Sequence, residues 1–204
     1  MEVIKNIIFD LGGVLLNINY QKTANAFKNL GVKNFDELYS QAAANDFFEN
    51  LETGKISEQE FYKTMQQYCN SSTLQQQVKD AWNAMLLDFR MESIQYLELL
   101  QPQYKLFLLS NTNSIHLTEF MQIAETVLPG KVFNNYFIKC YYSHLINLRK
   151  PYPSTYEFVL SDAGIKAEET LFIDDSPVNI EGAKLVGLQT HLLLPNENIE
   201  EIIL

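Results

Sequence analysis

The chain contains two short apolar segments that each end on acidic residues, and this arrangement constrains its fold more than any other feature. Residues 4–9 have the character of a buried strand that ends at Asp10, and residues 171–173 form a second strand that ends at Asp174 and Asp175. In an open α/β sheet, ligands bind at the carboxyl ends of the strands. Carboxylates gathered at that edge repel one another unless a cation lies among them. The sequence therefore predicts one acidic site that binds a cation.

Short apolar blocks alternate with amphipathic segments along most of the chain. The blocks lack regular polar alternation, as expected for parallel strands that are covered on both faces. They are residues 4–9, 105–109, 136–141, 170–173 and 190–194. Apolar residues at helical spacing predict helices between them, over 91–101, 114–125, 154–163 and 177–186. This alternation favours an α/β fold with a Rossmann-like, doubly wound parallel sheet.

Residues 17–90 have a different pattern, in which we find no strand-like block. The helices expected there lie over 20–30, over 34–44, over 71–87 and after a capping box formed by Ser57 and Glu60. We therefore expect an inserted, all-helical cap domain over 17–90 and a Rossmann-like core domain formed by 1–16 and 91–204. The insert would lie over the carboxyl edge of the sheet as a lid. The alternative is a helical extension packed on the side of the core.

The formal net charge of −10 limits the partners of this 204-residue chain. Nucleic acids and anionic membranes favour clustered Lys and Arg side chains, so neither is expected as a partner. No apolar stretch approaches the roughly 18 residues of a membrane span. The two cysteines, Cys69 and Cys140, match no metal-binding spacing and are expected to be reduced structural thiols. We expect a cytoplasmic protein, and a monomer.

Reactive side chains at the strand ends have complementary roles in phosphoryl transfer. Asp10 is ionised at neutral pH, so it can attack phosphorus without a separate base and form an aspartyl-phosphate. Ser110 offers a hydroxyl, and the backbone N–H groups of the helix start after it can hold phosphoryl oxygens. Lys150 supplies a positive charge, and Asp174 and Asp175 supply the hard oxygens that Mg²⁺ prefers. Each residue has an ordinary structural explanation alone, but together and in this order they favour phosphoryl transfer.

The same residues fall in four short motifs whose order is informative. The motifs are Phe9-Asp10-Leu11-Gly12-Gly13-Val14-Leu15, Leu109-Ser110-Asn111-Thr112, Lys150-Pro151 and Phe172-Ile173-Asp174-Asp175-Ser176. In this order they resemble the motifs of the haloacid dehalogenase superfamily, and the resemblance covers essentially the whole chain. It implies a hydrolase with Asp10 as the nucleophile and with Ser110, Asn111 and Lys150 at the phosphate.

The resemblance also implies a magnesium site, and it includes one departure from the family pattern. Mg²⁺ would be held by the carboxylate of Asp10, the backbone carbonyl of Gly12 and the carboxylate of Asp175, with Asp174 as direct or water-mediated support. The family usually has a second acid at the position of Gly12, which protonates the leaving group and later activates water. Loss of such a general acid–base costs about 10²–10⁴-fold in rate. Glu52, in a turn of the insert, is a candidate replacement and substrate contact; the alternative for it is a solvated surface acid.

Two hypotheses for the function remain. The first is a Mg²⁺-dependent phosphatase of a small phosphorylated metabolite. The Asp-x-Gly form of the first motif resembles a subgroup of capped sugar-phosphate phosphatases, including glucose-1-phosphate phosphatases, which favours a sugar phosphate. The alternative is a catalytically weak relative that binds a phospholigand or a protein, and the missing acid at Gly12 supports it. A haloacid dehalogenase is disfavoured, because its metal-free chemistry does not need the acid pair of Asp174 and Asp175.

The histidines carry less information than the acids. His116 comes early in the helix after Ser110 and could reach the site, but we expect it on the surface of that helix. His144 and His191 have no partner at a metal-binding spacing, and we expect structural roles for both.

Overall fold

The computed structural model of the protein describes residues 3–33, 35–38 and 46–202. Its strands are β1 (Asn6–Phe9), β2 (Leu16–Ile18), β3 (Leu86–Phe89), β4 (Lys105–Ser110), β5 (Lys139–Tyr142), β6 (Thr170–Asp174) and β7 (Gln189–Leu192). A five-stranded sheet has the order β5-β4-β1-β6-β7, and all of its neighbouring strands are parallel. The predicted α/β fold class is confirmed. Because β4 and β6 flank β1, the carboxyl ends of these three strands meet at one point of the sheet edge.

The helices cover the sheet and fill the segment between β2 and β3. They are α1 (Tyr20–Asn29), α2 (Phe35–Leu38), α3 (Asp46–Glu52), α4 (Glu58–Tyr68), α5 (Gln75–Asn83), α6 (Met91–Leu100), α7 (Ser114–Val127), α8 (Ser143–Ile146), α9 (Pro153–Ala163) and α10 (Pro177–Lys184). The helices predicted after residue 90 correspond to α6, α7, α9 and α10. Within the described ranges, none of the helices has the length and apolar character that crossing a membrane requires.

Alternate residues of the central strand face opposite sides of the sheet. On β1, Ile7 and Phe9 belong to one apolar cluster and Ile8 belongs to another, and all three side chains are fully buried. The residues of the neighbouring strand β4 alternate in the same way, with Leu108 in the first cluster and Phe107 in the second. Since helices cover both faces, these strands are buried except at Lys105, the first residue of β4, and they therefore appear in the sequence as continuous apolar blocks.

Helices α1 to α5 form an apolar cluster that Ile115 of α7 joins from the sheet side. Aromatic rings form much of it; for example, Phe48 stacks on Trp82 with ring centroids 5.4 Å apart. The predicted capping box is present at the start of α4. The Ser57 hydroxyl accepts a hydrogen bond from the Glu60 N–H at 3.2 Å, and the Glu60 carboxylate accepts one from the Ser57 N–H at 2.7 Å. The insert therefore folds around side chains that are mostly its own, with one contact from α7.

The expectation that residues 17–90 contain no strand is wrong at both ends of that segment. β2 and β3 pair antiparallel in a two-stranded ribbon, which links the sheet to the helices of the insert. The helix predicted over 71–87 is shorter for the same reason, because α5 ends at Asn83 and β3 follows. β2 has three residues and β3 has four, too few for a periodic signal, and their pairing depends on contact between segments far apart in sequence.

The first predicted helix of the insert, over 20–30, is present as α1. The helix predicted over 34–44 is found as α2, over Phe35–Leu38. Residues 39–45 lie outside the described residues.

Candidate active site

Lys150 lies between two carboxylates at the carboxyl edge of the sheet. Its Nζ atom is 2.7 Å from Oδ1 of Asp10 and 2.7 Å from Oδ2 of Asp174. Asp10 follows β1, where its backbone N–H donates to the carbonyl of Ile173 on β6. The lysine side chain is only 1% exposed. Burial of its ammonium group is costly, and the two carboxylates offset that cost. The ends of β1 and β6 and the loop before α9 thus bring three of the predicted residues to one point.

Asn111 holds the backbone of Lys150 from both sides. The amide N–H of Lys150 donates to Oδ1 of Asn111, and Nδ2 of Asn111 donates to the carbonyl of Lys150, both at 2.9 Å. The next residue, Pro151, packs against α10, where a Cβ added to Gly182 would lie 2.1 Å from the Pro151 carbonyl oxygen. Glycine at 182 is therefore needed for this close approach. Asn111 and Gly182 together fix the segment that carries the lysine.

Three carboxylates form a group that could hold a metal ion. Asp10, Asp174 and Asp175 each offer an oxygen, and these oxygens lie within 4.8 Å of one another. Hard carboxylate oxygens are the ligands that Mg²⁺ prefers in proteins, and Mg²⁺ usually takes one or two of them together with phosphate and water. The donor set therefore fits the predicted metal. Gly12, whose carbonyl is the further predicted ligand, lines the same cleft.

The two neighbouring acids of this group, Asp174 and Asp175, differ in burial and in the hydrogen bonds that their carboxylates accept. Asp174 is fully buried, and its carboxylate accepts hydrogen bonds from the Ser176 N–H at 2.8 Å and from Nδ2 of Asn179 at 3.0 Å, besides the contact with Lys150. Asp175 is partly exposed toward the cleft. Asp175 is therefore the more available ligand, and Asp174 is largely occupied in orienting Lys150.

Gly13 makes room for the Asp175 carboxylate. A Cβ at Gly13 would lie 2.0 Å from Oδ2 of Asp175, and the residue has a φ of +76°, in the left-handed region that glycine tolerates best. The sequence shows Gly13 only as part of a motif. The structure gives the physical reason for it, which is the close approach of the first motif to the fourth.

The pKa values of the acid group reflect its burial in the metal-free protein. Burial raises the pKa of Asp10 to about 7; the charge of Lys150 offsets part of this increase, and Asp174 and Asp175 add to it. Burial and Asp174 raise the pKa of Asp175 to about 6. Burial alone would lower the pKa of Lys150, but Asp10 and Asp174 raise it overall. Such a site carries more negative charge than one ammonium can balance, so it favours an added cation.

Ser110 is buried at the end of β4, next to the predicted phosphate-binding loop. This loop leads into α7, and Asn113 caps the helix by accepting a hydrogen bond from the N–H of His116. A second serine, Ser143, supports the loop: its Oγ accepts from the Thr112 N–H at 2.9 Å and donates to the Thr112 carbonyl at 2.8 Å. Sequence reasoning missed Ser143, because no pattern connects it with residue 112.

Glu52 lines the cleft, as the hypothesis of a substrate contact requires. Its Oε2 atom lies 3.0 Å from Nη2 of Arg149, and Nη1 of Arg149 lies 3.2 Å from Oε2 of Glu49. Burial raises the pKa of Glu52, and the charge of Arg149 lowers it in part. The alternative of a solvated surface acid is inconsistent with this burial. Arg149 also lines the cleft and was missed, although it directly precedes Lys150 in the sequence.

The expectation that His116 lies on a helix surface is wrong. The residue is 7% exposed and its ring stacks on Trp82 with centroids 4.8 Å apart. Its Nε2 atom is 3.1 Å from the Trp82 carbonyl, and its Nδ1 atom is 3.2 Å from Nδ2 of Asn113. These contacts match a neutral imidazole that donates at Nε2, and burial lowers its pKa to about 4. The insert covers a position that would be exposed on α7 alone.

A cleft of about 490 Å³ contains these groups. Asp10, Ser110 and Lys150 line it from the edge of the sheet, and Tyr20, Glu52 and Met85 line it from the insert. The predicted residues at 10, 12, 52, 110, 111, 150 and 175 all line it, while Asp174 lies behind Lys150. Of the other histidines, His191 pairs with Glu197 at 2.8 Å, in keeping with a structural role.

Comparison with known proteins agrees with this geometry. Residues 4–187 match the family model for haloacid dehalogenase-like hydrolases, and the chain belongs to that family of hydrolases. It is similar to D-ribitol-5-phosphate phosphatase of Bacteroides thetaiotaomicron, with 33% identity over 188 residues that cover 92% of this chain and 91% of the relative.

Solved structures of similar proteins have the same fold. One is a HAD family enzyme of Bacteroides thetaiotaomicron, a variant in complex with magnesium and inorganic phosphate, with a TM-score of 0.91, 32% identity and 96% coverage of both chains. Another is a predicted HAD-like family hydrolase of Porphyromonas gingivalis, with a TM-score of 0.86, 37% identity and coverage of 97% of this chain and 94% of the other.

Proposed function

We propose that this protein is a Mg²⁺-dependent phosphatase that hydrolyses a small phosphorylated metabolite through an aspartyl-phosphate intermediate. One observation carries the proposal. The carboxylate oxygens of Asp10, Asp174 and Asp175 lie within 4.8 Å of one another. The buried ammonium of Lys150 contacts Asp10 and Asp174. A binding site for phosphate alone would not need three acids, because they repel an anion. Nucleophilic attack on phosphorus beside a cation does need them.

Asp10 is the nucleophile in this proposal. One of its carboxylate oxygens forms a bond to phosphorus while the bond from phosphorus to the leaving oxygen breaks, and that oxygen takes up a proton. Water then attacks the phosphorus of the aspartyl-phosphate, which releases inorganic phosphate and restores the carboxylate. Lys150 balances the charge on the phosphoryl oxygens, and Ser110 donates a hydrogen bond to one of them. Asn111 positions Lys150 through its two hydrogen bonds to the lysine backbone.

The metal site in this proposal is formed by Asp10, Asp175 and the backbone carbonyl of Gly12, with Asp174 in support. Mg²⁺ supplies charge stabilisation to the phosphoryl group when it is bound. The strong hydrogen bonding of the Asp174 carboxylate to Ser176 and Asn179 supports its assignment as the less direct ligand. The raised pKa values of Asp10 and Asp175 support the need for a cation.

We propose a sugar or polyol phosphate as the substrate. A cleft of about 490 Å³ suits a small metabolite, and the similar protein of Bacteroides thetaiotaomicron is a D-ribitol-5-phosphate phosphatase. The net charge of −10 supports the absence of nucleic-acid and membrane partners. We further propose that the protein is a cytoplasmic monomer, which fractionation and light scattering would test.

We also propose that 17–90 form a cap domain and that 1–16 and 91–204 form the core domain. The apolar cluster formed mainly by α1 to α5 supports this division. So does the ribbon of β2 and β3, since both chain crossings between the two parts lie there.

The alternative, a catalytically weak protein that binds a phospholigand or a protein, has one specific observation in its favour. A Cβ at Gly12 would lie 3.1 Å from Cδ1 of Ile18, so the end of the Ile18 side chain would have to shift by a few tenths of an ångström to admit a side chain at position 12. Ile18 thus lies where an acid at position 12 would begin. This alternative predicts tight phosphate binding without turnover.

Phosphate release from a panel of sugar phosphates, polyol phosphates and p-nitrophenyl phosphate distinguishes the two functions. Wild type with Mg²⁺ is compared with wild type in EDTA, with Asp10→Asn and with the matched control Asp162→Asn. Asp162 pairs with Lys139 at an exposed site outside the cleft lining. We expect release that requires both Mg²⁺ and Asp10 and persists in Asp162→Asn. If wild type loaded with Mg²⁺ releases no phosphate from any compound, the phosphatase proposal fails.

A further inference from the structure

Arg149 is held by two acids at the contact between the insert and the sheet edge. Its guanidinium lies 3.2 Å from Glu49 and 3.0 Å from Glu52, both on α3. The three side chains are mostly buried, with exposed fractions of 15% for Arg149, 26% for Glu49 and 16% for Glu52. We call Glu49, Glu52 and Arg149 the Arg149 cluster. Arg149 and Glu52 line the cleft, and Glu49 contacts the arginine from outside that lining.

The Arg149 cluster offers no unmatched positive charge to a ligand. It combines two carboxyl groups with one guanidinium. Burial raises the pKa of Glu52, but Glu49 still balances Arg149 when Glu52 is protonated. The same cleft contains Lys150, which Asp10 and Asp174 already match. A second anionic group on a ligand would therefore face carboxylates without a free cation, which is an unfavourable contact.

Two polar atoms of the cluster keep hydrogen-bonding capacity for a ligand. Within the part of the chain that the structure describes, Nε of Arg149 is buried without a hydrogen-bond partner, and Oε2 of Glu52 has the guanidinium Nη2 at 3.0 Å on one side only. One atom is a donor and the other an acceptor. A hydroxyl group donates and accepts at the same time, so it suits this combination of atoms. Buried polar groups without partners are costly, and a ligand that pairs them removes that cost.

We propose that the Arg149 cluster selects the organic part of the substrate, a neutral chain that carries hydroxyl groups, and that it rejects compounds with a second anionic group. The substrate class is then a polyol or sugar monophosphate, and phosphorylated carboxylic acids and bisphosphates are excluded. This inference rests on the proposed phosphatase function and identifies residues that determine its specificity.

The test compares two compounds that differ only at the end remote from the phosphate, glucitol 6-phosphate and 6-phosphogluconate. Their kcat/KM values are measured with Mg²⁺ for wild type, Glu49→Gln, the double variant Glu49→Gln/Glu52→Gln and Arg149→Met. We expect wild type to prefer the polyol phosphate by about tenfold or more. Neutralising the carboxylates should shift the ratio toward the acid by about tenfold or more, mainly through KM, because the freed guanidinium attracts a carboxylate. Arg149→Met should raise the KM of the polyol phosphate without improving the use of the acid, because the two carboxylates then lack their cation.

Glu169→Gln is the matched control, since Glu169 pairs with Lys5 next to the amino end of β1, away from the cleft. Its substrate ratio should equal that of wild type. A purely structural role for the Arg149 cluster would change both substrates equally, and an unchanged ratio in both Gln variants would overturn the inference. Glu49→Gln alone is informative if the double variant does not fold, because Glu49 lies outside the cleft lining.

A binding measurement separates this inference from the proposed function. The dissociation constants of the same two compounds are measured by calorimetry with Mg²⁺ in Asp10→Asn, with and without Glu49→Gln. If wild type hydrolyses nothing, the phosphatase proposal fails, but a ratio of dissociation constants that shifts toward the acid still supports selection by the Arg149 cluster. An equal ratio in both proteins would refute the selection.

Discussion

Asn111 and Lys150 exchange two hydrogen bonds, one in each direction, between the amide side chain of Asn111 and the backbone of Lys150. The asparagine lies just after β4 and the lysine lies just before α9, so the pair joins two loops at the sheet edge. The contact determines where the ammonium group lies between Asp10 and Asp174.

Replacement of Asn111 by Ala should therefore misplace Lys150. Loss of two hydrogen bonds lowers the free energy of unfolding by about 1–3 kcal/mol, and kcat should fall more than KM rises, because the charge at the phosphoryl group is displaced. Urea unfolding and steady-state kinetics measure both effects. Gln101→Ala is the control, since it also removes contacts to two carbonyls, at a place outside the cleft. Equal kinetic losses in the two variants would contradict a positioning role for Asn111.

Mg²⁺ binding should depend on pH near neutrality. The pKa values of Asp10 and Asp175, raised to about 7 and about 6 in the metal-free protein, mean that protons must leave before the metal binds. We expect the affinity for Mg²⁺ to fall as the pH is lowered below about 7 and to level off above it. Calorimetry in buffers of different ionisation enthalpy should detect released protons. Equal affinity at about pH 5.5 and about pH 8 would refute this prediction.

The same pKa values predict the direction in which metal-free stability changes with pH. Between about pH 4 and about pH 7, the folded protein keeps protons on Asp10 and Asp175 that the unfolded chain has released. These two groups therefore make the folded state less stable as the pH rises through this window. The increase in Tm caused by Mg²⁺ should be largest above about pH 7 and should shrink in acid. Thermal unfolding with Mg²⁺ and with EDTA measures the difference, and Asp175→Asn should reduce it.

Glu52→Gln tests whether Glu52 supplies the proton that Gly12 cannot. If it does, the variant should lose about 10²–10⁴-fold in kcat for alkyl phosphates, whose leaving group needs protonation. The loss should be much smaller for p-nitrophenyl phosphate, whose leaving group is stable as an anion. Comparison of the two substrates in wild type and variant gives the answer. An equal loss for both would restrict Glu52 to substrate binding.

The space beside Gly12 offers a test of the missing acid. Gly12→Asp alone should require the Cδ1 end of Ile18, 3.1 Å from the added Cβ, to shift by a few tenths of an ångström. Combined with Ile18→Ala, the new carboxyl has room. We expect the double variant to hydrolyse alkyl phosphates faster than Ile18→Ala alone. Wild type, the two single variants and the double variant form a double-mutant cycle. Their free energies of unfolding and their kcat values measure the coupling between positions 12 and 18.

The sequence could predict the strands and the acids at their ends because both follow from local order. β1 and β6 are continuous apolar runs, and Asp10, Asp174 and Asp175 stand at or just beyond their ends. In a parallel sheet, that position alone determines which edge a residue occupies. Ser110 and Lys150, which the motif order predicts beside these acids, line the same cleft.

The residues that sequence reasoning missed depend on contacts between distant segments. Ser143 supports the loop at Thr112, and Arg149 is recognisable only once Glu49 and Glu52 of the insert lie against it. His116 is buried because Trp82 of α5 covers it. No periodic pattern in the sequence indicates such contacts. They are recognisable only in the folded protein, where distant segments lie side by side.

The ribbon of β2 and β3 has a consequence for how this architecture can diversify. Both connections of the insert run side by side, separated by roughly the 5 Å of neighbouring strands. Any helical unit whose two ends lie that close together could be grafted at this point without moving Asp10 or Lys150. Exchange of the insert would replace Glu49 and Glu52 and, under the proposed role of the Arg149 cluster, would change the compounds that are accepted, while Asp10 and Lys150 stay with the sheet. In that proposal, a new substrate preference could arise without rebuilding the group of Asp10, Lys150, Asp174 and Asp175.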